Sequence, residues 1–340
     1  MDAILVVNAG STSLKLSLIA DDGSTEAVSS LADAPPDVEA VAHRVVHGGT
    51  RFRDPVRIDD EVVAELERLT ELAPLHNAAA VGALAQARAV LSGVPHVAVF
   101  DTAFHATLPP EAASYALPQA WREQWGIRRY GFHGLSVQWA SEQVPASRLV
   151  VCHLGGGSSV TAVLDGRSVE TTMGFSPLEG VPMATRSGSI DPEIVLYLLR
   201  HELVSAETVE EALEHRSGLL GLSGVSGRVE ELEGSDDPRA GLALDVFAYR
   251  VAGAVATCSV ALGGLDALVF TAGVGEGSAR VRADVCGRLR LLGVELDADA
   301  NADATPMADV SVAGSAVRVL VVHAREDLIA ARAARELLGL

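Results

Sequence analysis

Asn8, Ser11, Ser13 and Lys15 fall in or beside one short polar turn between two apolar runs, ILVVNAGSTSLKLSLI at residues 4–19. An amide, two hydroxyls and an amine next to Gly10 suit a phosphate: glycine permits close approach, hydroxyls donate and the amine brings charge. The same residues read equally well as an ordinary tight turn of a β-hairpin. The turn is not a Walker loop, because no Gly-Lys-Ser/Thr triplet opens a helix. The pattern returns at LVVCHLGGGSSVTAVLDG, residues 149–166, as apolar strand, Gly/Ser turn, apolar strand and Asp-Gly. Setting Asn8 on His153 puts Gly10 on Gly155 and Ser13 on Ser158, with Gly156 and Gly157 inside the second turn. The match is short and coincidence is one reading of it. The other is a duplicated chain whose halves each begin with a phosphate-facing hairpin. A third glycine-rich stretch, LDALVFTAGVGEGSARVR at 265–282, reads as strand, loop and helix. There Gly273, Gly275 and Gly277 would let a nucleotide lie on bare backbone, a pattern that many α/β proteins share.

Four further clusters isolate a charged or imidazole side chain among small and apolar residues. They are HRVVHGG (43–49), LAPLHN (72–77), DTAFH (101–105) and YGFHG (130–134), the last followed by MGFSPLEG (173–180) and TRSGS (185–189). Each alone has a structural reading: a satisfied core histidine, or a buried ion pair at Arg44 or Arg186. Their company with two hairpins and a glycine loop shifts the weight toward anion chemistry.

The elements that must position these groups are those of an α/β protein. The chain has 340 residues, room for two domains, and 49% of them are apolar, mostly Ala, Val and Leu rather than aromatics. A net charge of −19 argues against general nucleic-acid binding and means that cations for an anionic ligand must be gathered locally. Cys152, Cys258 and Cys286 are far apart, which disfavours a disulfide framework or zinc cluster and suggests core thiols in a reducing compartment. No apolar run is expected to span a membrane, no leader is seen, and a soluble cytoplasmic chain is expected. Residues 21–39, with Pro35-Pro36, read as a connector, 110–130 as irregular, and Trp121 and Trp125 as core or interface packing. Helices are expected at 59–72, 77–92, 192–203, 206–215 and 238–262, and short strands at 97–100 and 317–322. Asp191-Pro192-Glu193 is a helix start, with a capping acid and proline at the first position.

NAGSTSLK, HRVVHGG, LAPLHN, FDTAFH, RRYGFHG, HLGGGSS, MGFSPLEG, TRSGSIDP, FTAGVGE and the Glu326 segment occur in one order. In this the chain resembles the acetate kinase family over most of its length. The resemblance implies a duplicated two-domain actin-like ATPase (ribonuclease H-like) fold with a central active-site cleft. Residues 1–105 and 329–340 would form the N-terminal domain and 106–328 the C-terminal one. It implies phosphoryl transfer from ATP to acetate, with Mg²⁺ (or Mn²⁺) as cofactor and a homodimer through the second domain; domain closure is expected from the fold. Acetate is already an anion near neutral pH, so no general base is needed, and the difficulty is bringing two anions together. By resemblance Arg44 and Arg186 hold carboxylate and phosphoryl oxygens, His133 donates to the phosphoryl group and His76 assists. Asn8, Ser11, Ser13 and Lys15 position phosphates, together with His153, Gly155, Gly156, Gly157 and the run Gly273, Val274, Gly275, Glu276 and Gly277. Asp101 and Glu326, with Asn8, anchor the metal ion. Val46, Leu75, Phe132 and Pro177 form a methyl pocket, small enough to favour acetate yet open to propionate.

The chain departs from the family pattern on the nucleotide side. Gly156 and Gly277 stand where asparagine is usual, Gly227-Arg228-Val229-Glu230 replaces an Asp-Phe-Arg segment, and the connector between Lys15 and Arg44 is short. Pyrophosphate as donor and propionate or butyrate as acceptor are therefore alternatives, as is a non-catalytic ATP-binding protein on the same fold. A Rossmann dehydrogenase is excluded, since no GxGxxG follows the first strand.

Overall fold

The computed structural model describes residues 2–9, 14–70 and 74–340, the side chains of 74–76 excepted. Gly10, Ser11 and Ser13 thus lie outside the described residues, as do the side chains of Leu75 and His76.

Among the described residues, two six-stranded sheets organise the chain. The first contains β1 (Ala3–Ala9), β2 (Leu14–Ala20), β3 (Thr25–Val28), β4 (Ala40–Val45), β5 (Val56–Arg57) and β6 (His96–Phe100), in the order β3-β2-β1-β4-β6-β5. The second contains β7 (Arg148–Leu154), β8 (Ser158–Leu164), β9 (Arg167–Thr171), β10 (Ala267–Thr271), β11 (Ala308–Asp309) and β12 (Arg318–Val321), in the order β11-β12-β10-β7-β8-β9. The two orders are the same motif. An antiparallel hairpin with a third strand outside it is joined through β1 or β7 to two parallel strands, and a short antiparallel edge strand follows. The fold is the duplicated α/β architecture of actin-like ATPases.

The hairpins differ in one respect. Asn8 pairs with Lys15, whereas His153 pairs with Ser159. The second turn is one residue shorter, so Ser158 stands opposite Leu154 where Leu14 stands opposite Ala9. The alignment of Ser13 with Ser158 therefore fails past the turn.

Helices α1 (Asp60–Leu69) and α2 (Pro74–Val90) connect β5 to β6, and α3 (Pro110–Ala113), α4 (Gln119–Trp125) and α5 (Gly134–Gln143) lead to the second sheet. Between β9 and β10 lie α6 (Pro192–Arg200), α7 (Ala206–His215), α8 (Gly218–Ser223), α9 (Val229–Glu233) and α10 (Pro238–Leu262). Then come α11 (Ala272–Gly277), α12 (Ala279–Arg288), α13 (Ala298–Ala302) and the closing α14 (Glu326–Leu338). Capping is as the sequence suggests: Asp191 accepts from the Glu193 N–H with Pro192 at the first helical position.

Period-2 alternation sends the two faces of each central strand into different cores. Leu5 and Val7 pack with Ala83 and Ala87 of α2 and with Leu91 just after it, while Ile4 and Val6 pack with Ile329, Ala330 and Ala334 of α14. In the second sheet Val150, Cys152 and Leu154 face α10, and Leu149 and Val151 face α5. Each fully buried Leu, Ile or Val is worth roughly 1.5–3 kcal/mol, so these four layers fix the strand ends that carry the chemistry. The three cysteines are buried free thiols.

Several expectations change. The span 110–130 is not irregular but contains α3 and α4, and Trp121 and Trp125 are not core residues: they stand 48% and 52% exposed on α4. The connector 21–39 includes the edge strand β3. The run 273–277 is helical rather than a loop. Contrary to the expectation about apolar runs, α10 is long and apolar enough to cross a membrane by length and composition. Here it is the main core helix, with Ala243, Leu244, Phe247, Val251 and Val255 buried against the second sheet.

Candidate active site

Register brings the first charged group together. β1 and β4 run parallel with Asn8 opposite Arg44, and Asp101 directly follows β6, the next strand over. The Arg44 guanidinium binds Asp101 with both prongs, Nε to Oδ1 at 2.9 Å and Nη2 to Oδ2 at 2.6 Å. Its remaining nitrogen, Nη1, reaches Asn8 Oδ1 at 3.1 Å and Glu326 Oε2 at 2.9 Å. Glu326 is the first residue of α14, so the end of the chain closes this cluster. Burial works against charge on Arg44, but the Asp101 and Glu326 carboxylates outweigh it and raise its pKa. Burial pushes the Glu326 carboxyl up, Arg44 pulls it down, and Asp101 pushes it up again, with a net upward shift. The Asp101 and Glu326 carboxylates and the Asn8 amide oxygen are the donor types that a hard divalent cation takes while keeping most of its water, and here they are gathered around the Arg44 guanidinium.

His133 comes from the other half. It has φ 59° and caps α5. This helix starts hard against the first half: a Cβ on Gly134 would lie 2.1 Å from the Asp101 carbonyl oxygen, which accepts the Gly134 N–H at 3.0 Å. His133 Nδ1 lies 3.0 Å from Ser159 Oγ, and its ring stacks on His153 at 4.0 Å, interplanar 17°. His153 Nδ1 in turn meets Ser136 Oγ at 2.8 Å. Burial lowers the His133 pKa well below 6.5, and the charges of Arg44 and Arg186 add to that. Burial likewise lowers His153, to about 3. Both rings are neutral at pH 7.

Arg186 Nη1 donates to the Pro177 carbonyl at 3.3 Å. Gly157 joins the two groups: a Cβ there would sit 3.3 Å from His133 Nε2 and 3.5 Å from Arg186 Nη1. Burial lowers the Arg186 pKa and Glu214 opposes the shift.

A cleft of about 830 Å³ runs between the halves, lined by Asn8, Lys15 and Arg44 on one side and by His133, His153 and Gly155–Gly157 on the other. Gly273 and Glu276 also line it, but both Glu276 oxygens are engaged, one by His323 Nδ1 at 2.6 Å and one by the Ala324 N–H at 3.0 Å. The glycines lead into a second recess of about 280 Å³ bounded by Val274, Gly277, Arg228 and Val229. Nothing lies within 4 Å of a Cβ placed on Gly156, Gly273 or Gly277, so these positions are open toward the recess and cleft. Gly275 is buried, against the Phe270 backbone.

Val46 and Phe132 pack in a small apolar cluster with Tyr130, Met173 and Met183. Sequence reasoning had Met173 inside MGFSPLEG without placing it in this cluster and missed Met183, which nothing but its place just before TRSGS distinguishes from a core residue. It also missed Glu214, 3.4 Å from Arg186 Nε, and Arg282, which is buried on α12 and donates to the Gly275 and Glu276 carbonyls of α11. Asn77 explains why LAPLHN accompanies HRVVHGG: its amide makes two hydrogen bonds to the His47 backbone, at 3.0 and 3.1 Å. His105 has a packing role, its ring nitrogens meeting Ser168 Oγ and the Phe132 carbonyl.

Residues 29–332 match the acetokinase family. The chain belongs to the acetokinase family. These enzymes are phosphotransferases with a carboxyl group as acceptor. The chain is 46% identical to the acetate kinase of Cyanothece sp. over 306 residues, 87% of this chain and 75% of that one. It is 45% identical to the acetate kinase of Nostoc punctiforme over 317 residues, 90% and 77% of the two chains. Among solved structures, Porphyromonas gingivalis acetate kinase superposes with a TM-score of 0.88 at 32% identity, covering 99% of this chain and 100% of that one. A Francisella tularensis propionate kinase gives 0.88 at 33%, covering 98% and 99%. The acetokinase fold thus extends over both sheets, including the first hairpin that lies before the family match.

Proposed function

We propose that this acetokinase reversibly transfers the γ-phosphoryl group of ATP to acetate, giving acetyl phosphate and ADP, with Mg²⁺ as cofactor. The carrying observation is that Arg44 and neutral His133, from separate segments, line one glycine-floored cleft, and that Arg186 Nη1 stands beside the Gly157 of its floor. The acetate carboxylate attacks the γ-phosphorus, an oxygen–phosphorus bond forms, and the bond to the ADP oxygen breaks. Arg186 offers a planar fork to the carboxylate and phosphoryl oxygens as their negative charges approach, and Arg44, bidentate on Asp101, adds its positive charge beside them. With Ser159 Oγ as the donor to Nδ1 of His133, Nε2 is the nitrogen that carries the ring proton, and in this proposal that N–H meets the passing phosphoryl group beside Gly157. Asp101 and Glu326, assisted by Asn8, would hold Mg²⁺, which when bound neutralises phosphate charge. Ser11, Ser13, Lys15 and His153 position the phosphates, with the Gly155–Gly157 turn beneath them, and Gly273–Gly277 carries the nucleotide. Val46, Phe132 and Pro177, with Leu75 and His76 from the start of α2, enclose the acetyl group.

The recess off the cleft favours a nucleotide over pyrophosphate, which would leave it empty. The arginine pair and the apolar cluster argue against a non-catalytic ATP-binding role. The division at residues 105/106 and 328/329 is proposed as the domain boundary, since α14 packs beneath the first sheet. A homodimer in the cytoplasm completes the proposal, and the apolar side chains of Ile194, Leu196 and Tyr197, about half exposed on α6, support self-association. Hydroxamate trapping with purified protein, Mg²⁺ and acetate tests the activity. Acyl hydroxamate should form with ATP and not with pyrophosphate, and propionate should react at lower kcat/KM. No product with either donor sinks the proposal.

A further inference from the structure

Arg186 is gripped from behind. Its Nη1 side faces Gly157 and His133 Nε2, while its Nε side faces away, toward the last turn of α7. There Glu214 Oε2 lies 3.4 Å from Nε, with both side chains less than one-fifth exposed. The same turn holds the flanking residues by backbone: Thr185 Oγ1 donates to the Glu214 carbonyl at 2.8 Å, and the Ser187 N–H donates to the Leu213 carbonyl at 3.0 Å. Glu214 Oε2 is buried and makes no hydrogen bond, so this ion pair is the contact the structure gives that oxygen. Its location is also electrostatically poor for a glutamate, because a carboxylate near a helix C-terminus opposes the helix dipole. A residue kept there against local preference, aimed at a buried guanidinium, has a use beyond helix stability.

We propose that Glu214 is a positioning residue for the phosphoryl transfer: its carboxylate holds the Arg186 guanidinium from the Nε side and so sets where Nη1 stands beside His133. The inference rests on the role assigned to Arg186 above. A guanidinium that loses this restraint keeps its charge and its Nη1 contact with the Pro177 carbonyl but is no longer fixed from the Nε side, and a misplacement of about 1 Å at a reacting centre costs on the order of 100-fold in rate. Because the phosphates and base are held by other segments, the loss falls on kcat and on acetate, not on ATP.

The test compares Glu214→Gln, Glu214→Ala and Arg186→Ala in the full chain, by steady-state kinetics with hydroxamate detection and by thermal melting. Glu214→Ala should lose roughly 10- to 100-fold in kcat, with the KM for ATP within about twofold of the parent. Glu214→Gln, which retains an acceptor oxygen, should fall between the two. A Glu214→Ala enzyme with parental kcat and acetate KM overturns the inference. So does a variant whose two KM values and melting temperature move together, since that marks a merely structural residue. Arg186→Ala separates the two claims: if it retains turnover, the site reading itself fails, whereas its inactivity beside an unaffected Glu214→Ala removes this inference alone.

Discussion

The two sheets share one strand order and bring different materials to the same cleft. At the carboxyl ends of β1, β4 and β6 the first half sets Asn8, Arg44 and Asp101, bound to one another and to Glu326. At the corresponding ends of β7 and β10 the second half sets His153, three consecutive glycines, and Thr271 leading into α11. The strand ends of one half supply fixed charges, those of the other bare backbone and neutral rings, with Arg186 reaching that floor from the segment between β9 and α6. Duplication fixed the frame, and the strand ends divide the labour: Asn8, Arg44 and Asp101 stand on one wall, and glycines and histidine rings on the other, where Arg186 adds its charge beside Gly157.

Arg44→Ala should break this division most severely, with a loss in kcat on the order of 10³-fold or more, and Arg44→Lys should recover little because a single ammonium cannot replace four directed contacts to three residues. Turnover within tenfold of the parent would show that the charged wall is not where the transfer occurs. Next in size is a pair of substitutions in the second wall. Gly157→Ala puts a methyl group against His133 Nε2 and Arg186 Nη1 and should cost about tenfold in kcat. Gly156→Ala meets no protein atom, so its kcat should hold while the KM for ATP rises a fewfold; equal behaviour of the two variants would deny that Gly157 has the special position.

The halves should behave alike toward acid. Burial lowers His43 and His153 to about 3 and His47 and His105 to about 4, against an ordinary value of 6.5. The fold holds these rings neutral, so below pH 6.5 the unfolded chain binds protons that the folded one does not. Stability is therefore complete above that pH and declines as pH falls toward 4, by up to about 1.4 kcal/mol per pH unit for each ring. Urea midpoints at pH 7.5, 6 and 5 should fall progressively, and a flat series would contradict the burial of these rings. The smallest effect belongs to Trp121→Ala and Trp125→Ala, which should change stability by no more than about 0.5 kcal/mol because both rings are exposed.

The strands, the hairpins and the long helices could be read from alternation and capping, because each of those signals is local. The site residues could be read too, since glycine turns isolate Arg44, His133 and Arg186 visibly in the chain. What escaped depends on partners distant in sequence. The 273–277 run reads as a loop because glycine lowers helix propensity, and it is helical with Arg282 bonded to its last carbonyls. Glu214 looks like any exposed acid of an amphipathic helix until the 185–187 segment is laid against it. The Ser13–Ser158 mismatch is invisible to residue types, because serine occurs on both sides of a slip of one.

α14 is a cover supplied far down the chain from what it covers. Ile4, Val6, Ala40 and Ala42 form an apolar face that Ile329, Ala330 and Ala334 close over. A chain cut short anywhere before residue 326 therefore leaves an oily strand face open to whatever it meets.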